Sequence, residues 1–196
     1  MAKVIEQTDE PEMVEKMVKD HLNRGIVRKG HPFKNFVLST ANGTEVESRM
    51  VVLRGKENTP FILTAFTDIR SGKIEHIKNT PEVSCLFWHP SSKLQVRMSA
   101  RAKIFTNDKR SREAWEKTTA FGKTAYNTID IPGAVLSRSQ WEEAELRDEM
   151  DDRFFAVLDF CVCEMDVLQL SRQGHIRAQF TYSDSGELST SAFVIP

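Results

Sequence analysis

Leu94-Gln95-Val96-Arg97-Met98-Ser99-Ala100-Arg101-Ala102-Lys103-Ile104 alternates apolar and polar residues without a break. Side chains along a strand point to opposite faces in turn, so this run predicts a long strand with one apolar face. Its other face carries Arg97, Arg101 and Lys103. Such a face is usually just wet, but it also suits an anionic pocket or a partner chain. Other stretches read as strands around it: Phe36 to Thr40, Val46 to Arg54, Phe61 to Phe66, Val83 to Trp88, Phe154 to Leu170, Ile176 to Tyr182 and Ala192 to Ile195. Asn42-Gly43 between the first two is a strong hairpin signal. Six or more strands in hairpin order, interrupted by short helices, predict a mainly β (α+β) fold, an antiparallel β-barrel with helical additions.

The helices are read from their ends. Glu12 to Arg24 follows Asp9 and Pro11 and stops at Gly25, and Gly25 to Lys34 reads as a basic linker. The 196 residues are therefore read as a single domain, with residues 1–34 as its N-terminal helix and linker. A short helix carrying Ile74 and Ile77 ends at Pro81. Asn107-Asp108 caps another helix that runs to about Ala120. Phe121 to Gly133 is read as a loop, and Ser139 with Glu142 has capping-box spacing for a charged helix to Met150.

Hydrophobic residues make up 40% and charged residues 28%, as in an ordinary soluble globular protein, and the net charge is -1. There is no global attraction to nucleic acid or to an anionic membrane, so an anionic ligand needs a local cluster. No apolar run reaches membrane-spanning length and the start lacks the apolar core of a secretory signal, so a cytoplasmic protein is expected. Cys85, Cys161 and Cys163 sit in apolar runs and are expected as buried free thiols. The histidines at 21, 31, 76, 89 and 175 are scattered along the chain. No Cys or His spacing completes a zinc site, and no metal is expected. Nor is there a Gly-x-Gly-x-x-Gly turn for a dinucleotide.

Thr67-Asp-Ile-Arg-Ser-Gly-Lys73 joins the Phe61 strand to the Ile74 helix. Two hydroxyls, two cations and a helix start make a plausible anion site, because free N–H groups and the helix dipole favour a phosphate. A solvated polar turn is the ordinary alternative.

The order of these pieces resembles the pyridoxamine 5′-phosphate oxidase-like family of flavin-binding split barrels. The matching residues are Arg49-Met50-Val51-Val52-Leu53-Arg54, Phe66-Thr67, Ser71, Lys73, Asn79-Thr80-Pro81 and Gln95-Val96-Arg97. Gly133 to Ser137 and His175-Ile176-Arg177 match more weakly. The resemblance implies a split barrel with Greek-key connections, and a homodimer with FMN in a groove between the subunits. It further implies that Arg49, Thr67, Ser71 and Lys73, with Arg70 nearby, hold the FMN phosphate. Met50, Val51, Val52 and Phe66 would line the ring, Gln95 would read its polar edge, and Arg177 would stabilise charge on the reduced ring.

The departures from the family pattern bear on the reaction. Gly72 stands where family oxidases carry Arg, Gln173 replaces a substrate-binding Arg, and Gly122-Lys123-Thr124 poorly preserves the substrate-phosphate segment. The expected function is thus an FMN-dependent oxidoreductase whose small-molecule substrate is other than pyridoxamine phosphate. Arg54, Lys123 and His175 are candidates to touch that substrate, and the catalytic residues themselves are unknown. Alternatives are a non-catalytic flavin- or haem-binding module, with His31, His89 or His175 as axial ligand, or a true pyridoxamine/pyridoxine 5′-phosphate oxidase. A nucleic-acid groove is disfavoured because the Gln95–Lys103 face has no paired aromatics.

Overall fold

The computed structural model describes residues 5–6, 9–137 and 146–196. Its order is α1 (Pro11–Val27), a 3-10 turn (Pro32–Lys34), β1 (Asn35–Asn42), β2 (Glu45–Val52), β3 (Gly55–Asn58), β4 (Phe61–Asp68) and α2 (Gly72–Asn79). Then follow β5 (Glu82–His89), β6 (Leu94–Phe105), α3 (Lys109–Lys117), α4 (Ala120–Thr124), β7 (Phe155–Gln169), β8 (Ile176–Tyr182) and β9 (Leu188–Val194). The strands form one antiparallel sheet in the order β2-β1-β5-β6-β7-β4-β3, with β8 on β7 and β9 on β8. Partners distant in sequence, β1 with β5 and β4 with β7, are the over-crossing connections of a Greek key.

β7 is where the barrel splits. Its first half, from Phe155 to Cys161, pairs with β4, and its second half, from Glu164 to Gln169, pairs with β8. A bulge lies between the halves: Ser99 opposes Glu164 while Ala100 opposes Val162, leaving Cys163 as the extra residue. That corrects the expectation of three buried thiols. Cys85 is buried, but Cys161 is only partly buried and the bulge leaves Cys163 exposed.

The apolar face of β6 (Leu94, Val96, Met98 and Ala100) is buried in the core with Phe36, Leu38, Phe87, Leu63 and Phe160. Phe36 stacks on Phe87 with centroids 4.9 Å apart. The first half of β7 is buried on both faces, because Tyr126 and Trp115 cover Phe155 from the outside. Its unbroken apolar run is the consequence.

Several boundaries differ from expectation. α1 continues through Gly25 to Val27, so the linker is short. Gly55 to Asn58, read as a polar patch, is the edge strand β3, which buries too little to show an alternating pattern. α3 stops at Lys117, and Ala120 to Thr124, read as loop, forms the short α4. Most of the helix expected from Ser139 to Met150 lies outside the described residues, but 146–150 are not helical and Leu146 bridges to Thr128. The last strand begins earlier, at Leu188. Among the described residues no helix is long and apolar enough to cross a membrane.

Candidate functional site

β4 ends in the turn that caps α2, and this geometry assembles the polar cluster. Thr67 is buried, with its hydroxyl 3.2 Å from that of Ser71. Ser71 is the N-cap of α2, yet its side chain does not cap the helix; its hydroxyl donates to the Asp68 carbonyl instead. Lys73 Nζ donates to Thr67 Oγ1 at 3.0 Å and to Ser71 Oγ at 2.8 Å. Lys73 is half-buried and no carboxylate pairs with it among the described residues. Its pKa lies below the usual lysine value, first because of burial and then because of the Arg49 charge. Arg49 therefore sits within electrostatic reach. Its guanidinium donates to Thr40 Oγ1 at 2.6 Å and to Glu47 at 2.9 Å, and Thr40 in turn meets His76 Nδ1 at 3.1 Å.

Two cations and two hydroxyls gather beside the start of a helix; Glu47 pairs with Arg49, and the Lys73 ammonium has no ion pair among the described residues. A phosphate fits that chemistry, since it offers acceptors to every donor present. Gly72 leaves open space where its side chain would be, with nothing within 4 Å of a Cβ built there.

Arg70 is elsewhere. It makes a bidentate pair with Asp68, Nε to Oδ1 at 3.0 Å and Nη2 to Oδ2 at 2.7 Å. It also donates to the Thr128 and Ile129 carbonyls and lies 3.7 Å over the Phe154 ring. The structure thus uses Arg70 as a latch between the β4–α2 turn and the 128–129 loop, which leaves the place at Gly72 unfilled.

The remaining candidates divide by sheet face. Arg49 lies opposite Leu38, which faces Cys85, which faces Met98, so this row points inward. Gln95 lies opposite Trp88 and Leu168, and Leu168 lies opposite Arg177. Directly opposed residues share a face, so Gln95 and Arg177 project outward. Arg177 is held there by Asp166, with Nη2 2.6 Å from Oδ2, and Arg97 shares the same carboxylate at 2.9 Å. In a single chain, the Arg49–Lys73 cluster and the Gln95–Arg177 row are on opposite sides of one sheet. On β2, Val51 points inward, while Val52 and the exposed Met50 point outward.

A cleft of about 500 Å³ opens on the outer side of β4 beneath α3 and α4. Phe66 and Arg54 line it, as do Lys34, Lys56, Arg110 and Lys117. Arg54 lies 5.6 Å from the Phe66 ring centroid. Part of the positive charge is matched: Arg110 pairs with buried Asp159 and lies 3.5 Å from Glu57. Lys123 rests over the Trp115 ring at 4.8 Å and is not among the lining residues, although its neighbour Gly122 is. His175 is exposed in the turn before β8, where Nδ1 accepts from the Ser171 N–H. Of the three substrate candidates only Arg54 lines the cleft. The sequence reading missed Lys34, Lys56, Arg110 and Lys117, because three widely separated segments bring them together.

A second cluster was not foreseen either. His21 of α1, His31 before the 3-10 turn and His89 at the end of β5 have ring centroids 5.0 to 5.8 Å apart. Burial, then the neighbouring His89 and His31, bring the His21 pKa down to about 4.

The family described as pyridoxamine 5′-phosphate oxidase, FMN-binding domain, matches residues 12–106. No curated protein matches the sequence. Among solved structures, the chain is similar to a pyridoxamine 5′-phosphate oxidase-related, FMN-binding protein from Nostoc punctiforme, at 20% identity and TM-score 0.74, covering 97% of this chain and 100% of that one. It is similar to PhzG from Burkholderia lata, solved with tetrahydrophenazine-1-carboxylic acid, at 15% identity and TM-score 0.70, covering 100% and 99%. An FAD-binding protein from Mesorhizobium loti shares 13% identity at TM-score 0.50, covering 78% and 94%. These identities bear on the fold, and the matched segment carries both β2 and the β4–α2 turn. Residues 12–106 thus resemble the FMN-binding domain of the pyridoxamine 5′-phosphate oxidase family, and the whole chain shares the fold of the related protein from Nostoc punctiforme.

Proposed function

We propose that this chain is a homodimeric FMN-dependent oxidoreductase. The observation that carries the reading is Lys73, a half-buried ammonium held by two hydroxyls next to Arg49, with no carboxylate partner among the described residues. An unmatched cation removed from water is costly, and a phosphate dianion supplies the missing charge. In this reading Arg49, Thr67, Ser71 and Lys73 of one protomer hold the FMN phosphate, and Gly72 contributes only backbone. Val51, Val52 and Phe66 line the ring, with Gln95 and Arg177 supplied by the partner across the outer sheet face. Bound FMN would supply hydride transfer; the chain contributes orientation, charge and exclusion of water. The cleft behind Phe66 favours a small anionic substrate through Arg54, Lys34 and Lys117. PhzG, of the same fold, was solved with a ring carboxylic acid, a ligand class that a cationic cleft would accept.

Natively purified protein should be yellow, and the flavin released on denaturation should be FMN rather than FAD. Arg49→Ala should weaken FMN at least tenfold, while Arg101→Ala, on an exposed outward position of β6, should leave it unchanged. Colourless protein that fails to quench FMN fluorescence would sink the reading, and equal losses at the two positions would remove the phosphate assignment. Anaerobic bleaching by NAD(P)H or by pyridoxine phosphate, followed by reoxidation with dioxygen, separates an enzyme from a carrier.

A further inference from the structure

We propose that His21, His31 and His89 form a binding site for a divalent first-row transition metal, with zinc as the reference ion, that fastens α1 to the barrel. The three residues are far apart in sequence and meet only in the fold. One ligand nitrogen from each lies within 4.8 Å of the other two. His21 is 2% exposed, and its Nδ1 has no hydrogen-bond partner. A buried polar nitrogen left unpaired costs free energy, so a ligand at this point is favoured by the protein interior itself.

The donor set suits such an ion. Neutral imidazoles are the common ligands of zinc, copper and nickel, and three of them leave a fourth position for water. Zinc–nitrogen bonds near 2.0–2.1 Å put tetrahedral ligand atoms about 3.3 Å apart. The cluster therefore has to contract by up to about 1.5 Å, a shift within reach of His31, which sits partly exposed on a turn. The outer contacts also bear on the geometry. His89 Nδ1 lies 2.9 Å from Ser92 Oγ and 3.4 Å from the Ser92 N–H; in the tautomer with the proton on Nδ1 it donates a hydrogen bond to Ser92 Oγ and leaves Nε2 for the metal. His31 Nδ1 accepts from the Phe33 N–H at 3.1 Å, so binding through Nε2 moves a proton to Nδ1 and breaks that bond. Metal binding should therefore be visible at the Phe33 amide. A cleft of about 270 Å³ bordered by Met17, Asp20, His21 and Arg24 lies against the His21 side of the cluster. Asp20 offsets the Arg24 charge near His21.

The test uses the full chain, stripped with EDTA and dialysed, then titrated with ZnCl2 by calorimetry and with CoCl2 by visible spectroscopy. One ion should bind per chain, Co2+ should give the intense bands of a low-symmetry four-coordinate site, zinc should raise the unfolding temperature, and the Phe33 amide resonance should shift. His31→Ala and His89→Ala, each checked for fold by circular dichroism, should weaken zinc by more than tenfold. His175→Ala, an exposed histidine outside the cluster, should bind as the parent does. Absence of saturable one-to-one binding would overturn the site. So would unchanged affinity in folded His31→Ala, or an equal loss in His175→Ala. The flavin plays no part in these measurements, so they stand or fall apart from the FMN reading.

Discussion

Two residues of the β4–α2 turn carry opposite lessons. Gly72 has open space around its missing side chain, and Arg70 is fully occupied as a latch. Gly72→Arg should therefore gain a contact to the FMN phosphate without displacing anything. One added charge-assisted hydrogen bond is worth about 1.5 kcal/mol, so FMN should bind roughly tenfold tighter by fluorescence quenching. No change would mean the phosphate lies elsewhere. Lys73 stands for a site that stores cost. Lys73→Met removes a half-buried cation and should raise the stability of the flavin-free protein by about 0.5–2 kcal/mol in thermal unfolding, while weakening FMN roughly 10–100-fold. The pH dependence follows from the same group. Burial and Arg49 hold its folded pKa below that of a free lysine, so the ammonium is lost earlier as pH rises. FMN affinity should fall with rising pH before the ordinary lysine value of about 10.4, and Lys73→Arg should remove that fall. The turn itself was legible in sequence, because Thr67, Ser71 and Lys73 are near neighbours. The engagement of Arg70 was not, since its partners at Thr128, Ile129 and Phe154 come from remote parts of the chain.

At the scale of elements, Gly25 shows how a correct signal can be given the wrong cause. Glycine after an apolar periodic stretch usually marks a helix end. Here α1 runs two residues further, and Gly25 is required by contact: a Cβ at this position would lie 2.5 Å from the Phe33 carbonyl oxygen and 2.7 Å from its carbon. Alanine gains up to about 1 kcal/mol of helix propensity, but overpacking against backbone costs about 1–3 kcal/mol. The clash wins. Gly25→Ala should lower the unfolding temperature and loosen α1 from the 3-10 turn, bringing His21 and His31 out of register; unchanged melting would show that the turn moves freely. The strands were more legible where one face is buried. β6 and β8 could be read by alternation alone, whereas polar β3, an edge strand, has no buried face to leave a pattern. The histidine cluster joins α1, a turn and β5, and no spacing along the chain could announce it.

For the whole molecule, the decisive fact is that the two parts of the proposed flavin site face away from each other. The Arg49–Lys73 cluster lies on the inward side of the sheet, and the Gln95–Arg177 row lies on the outward side. In the FMN reading, Gln95 and Arg177 therefore come from a second copy. The outward face of β2-β1-β5-β6 offers it a surface: Val46 is 70%, Met50 63% and Trp88 44% exposed in the single chain. Large apolar side chains along one sheet face favour association, and a stable pair buries on the order of 800 Å² per partner. Light scattering should give a dimer mass for the parent. Val46→Glu with Trp88→Glu, which leaves every phosphate-cluster residue in place, should give a folded monomer by circular dichroism. If the partner supplies Gln95 and Arg177, that monomer should bind FMN more than tenfold more weakly, although Arg49 and Lys73 are intact. A folded monomer with undiminished FMN affinity would confine the flavin to one chain, and Gln95 and Arg177 would then drop out of the site.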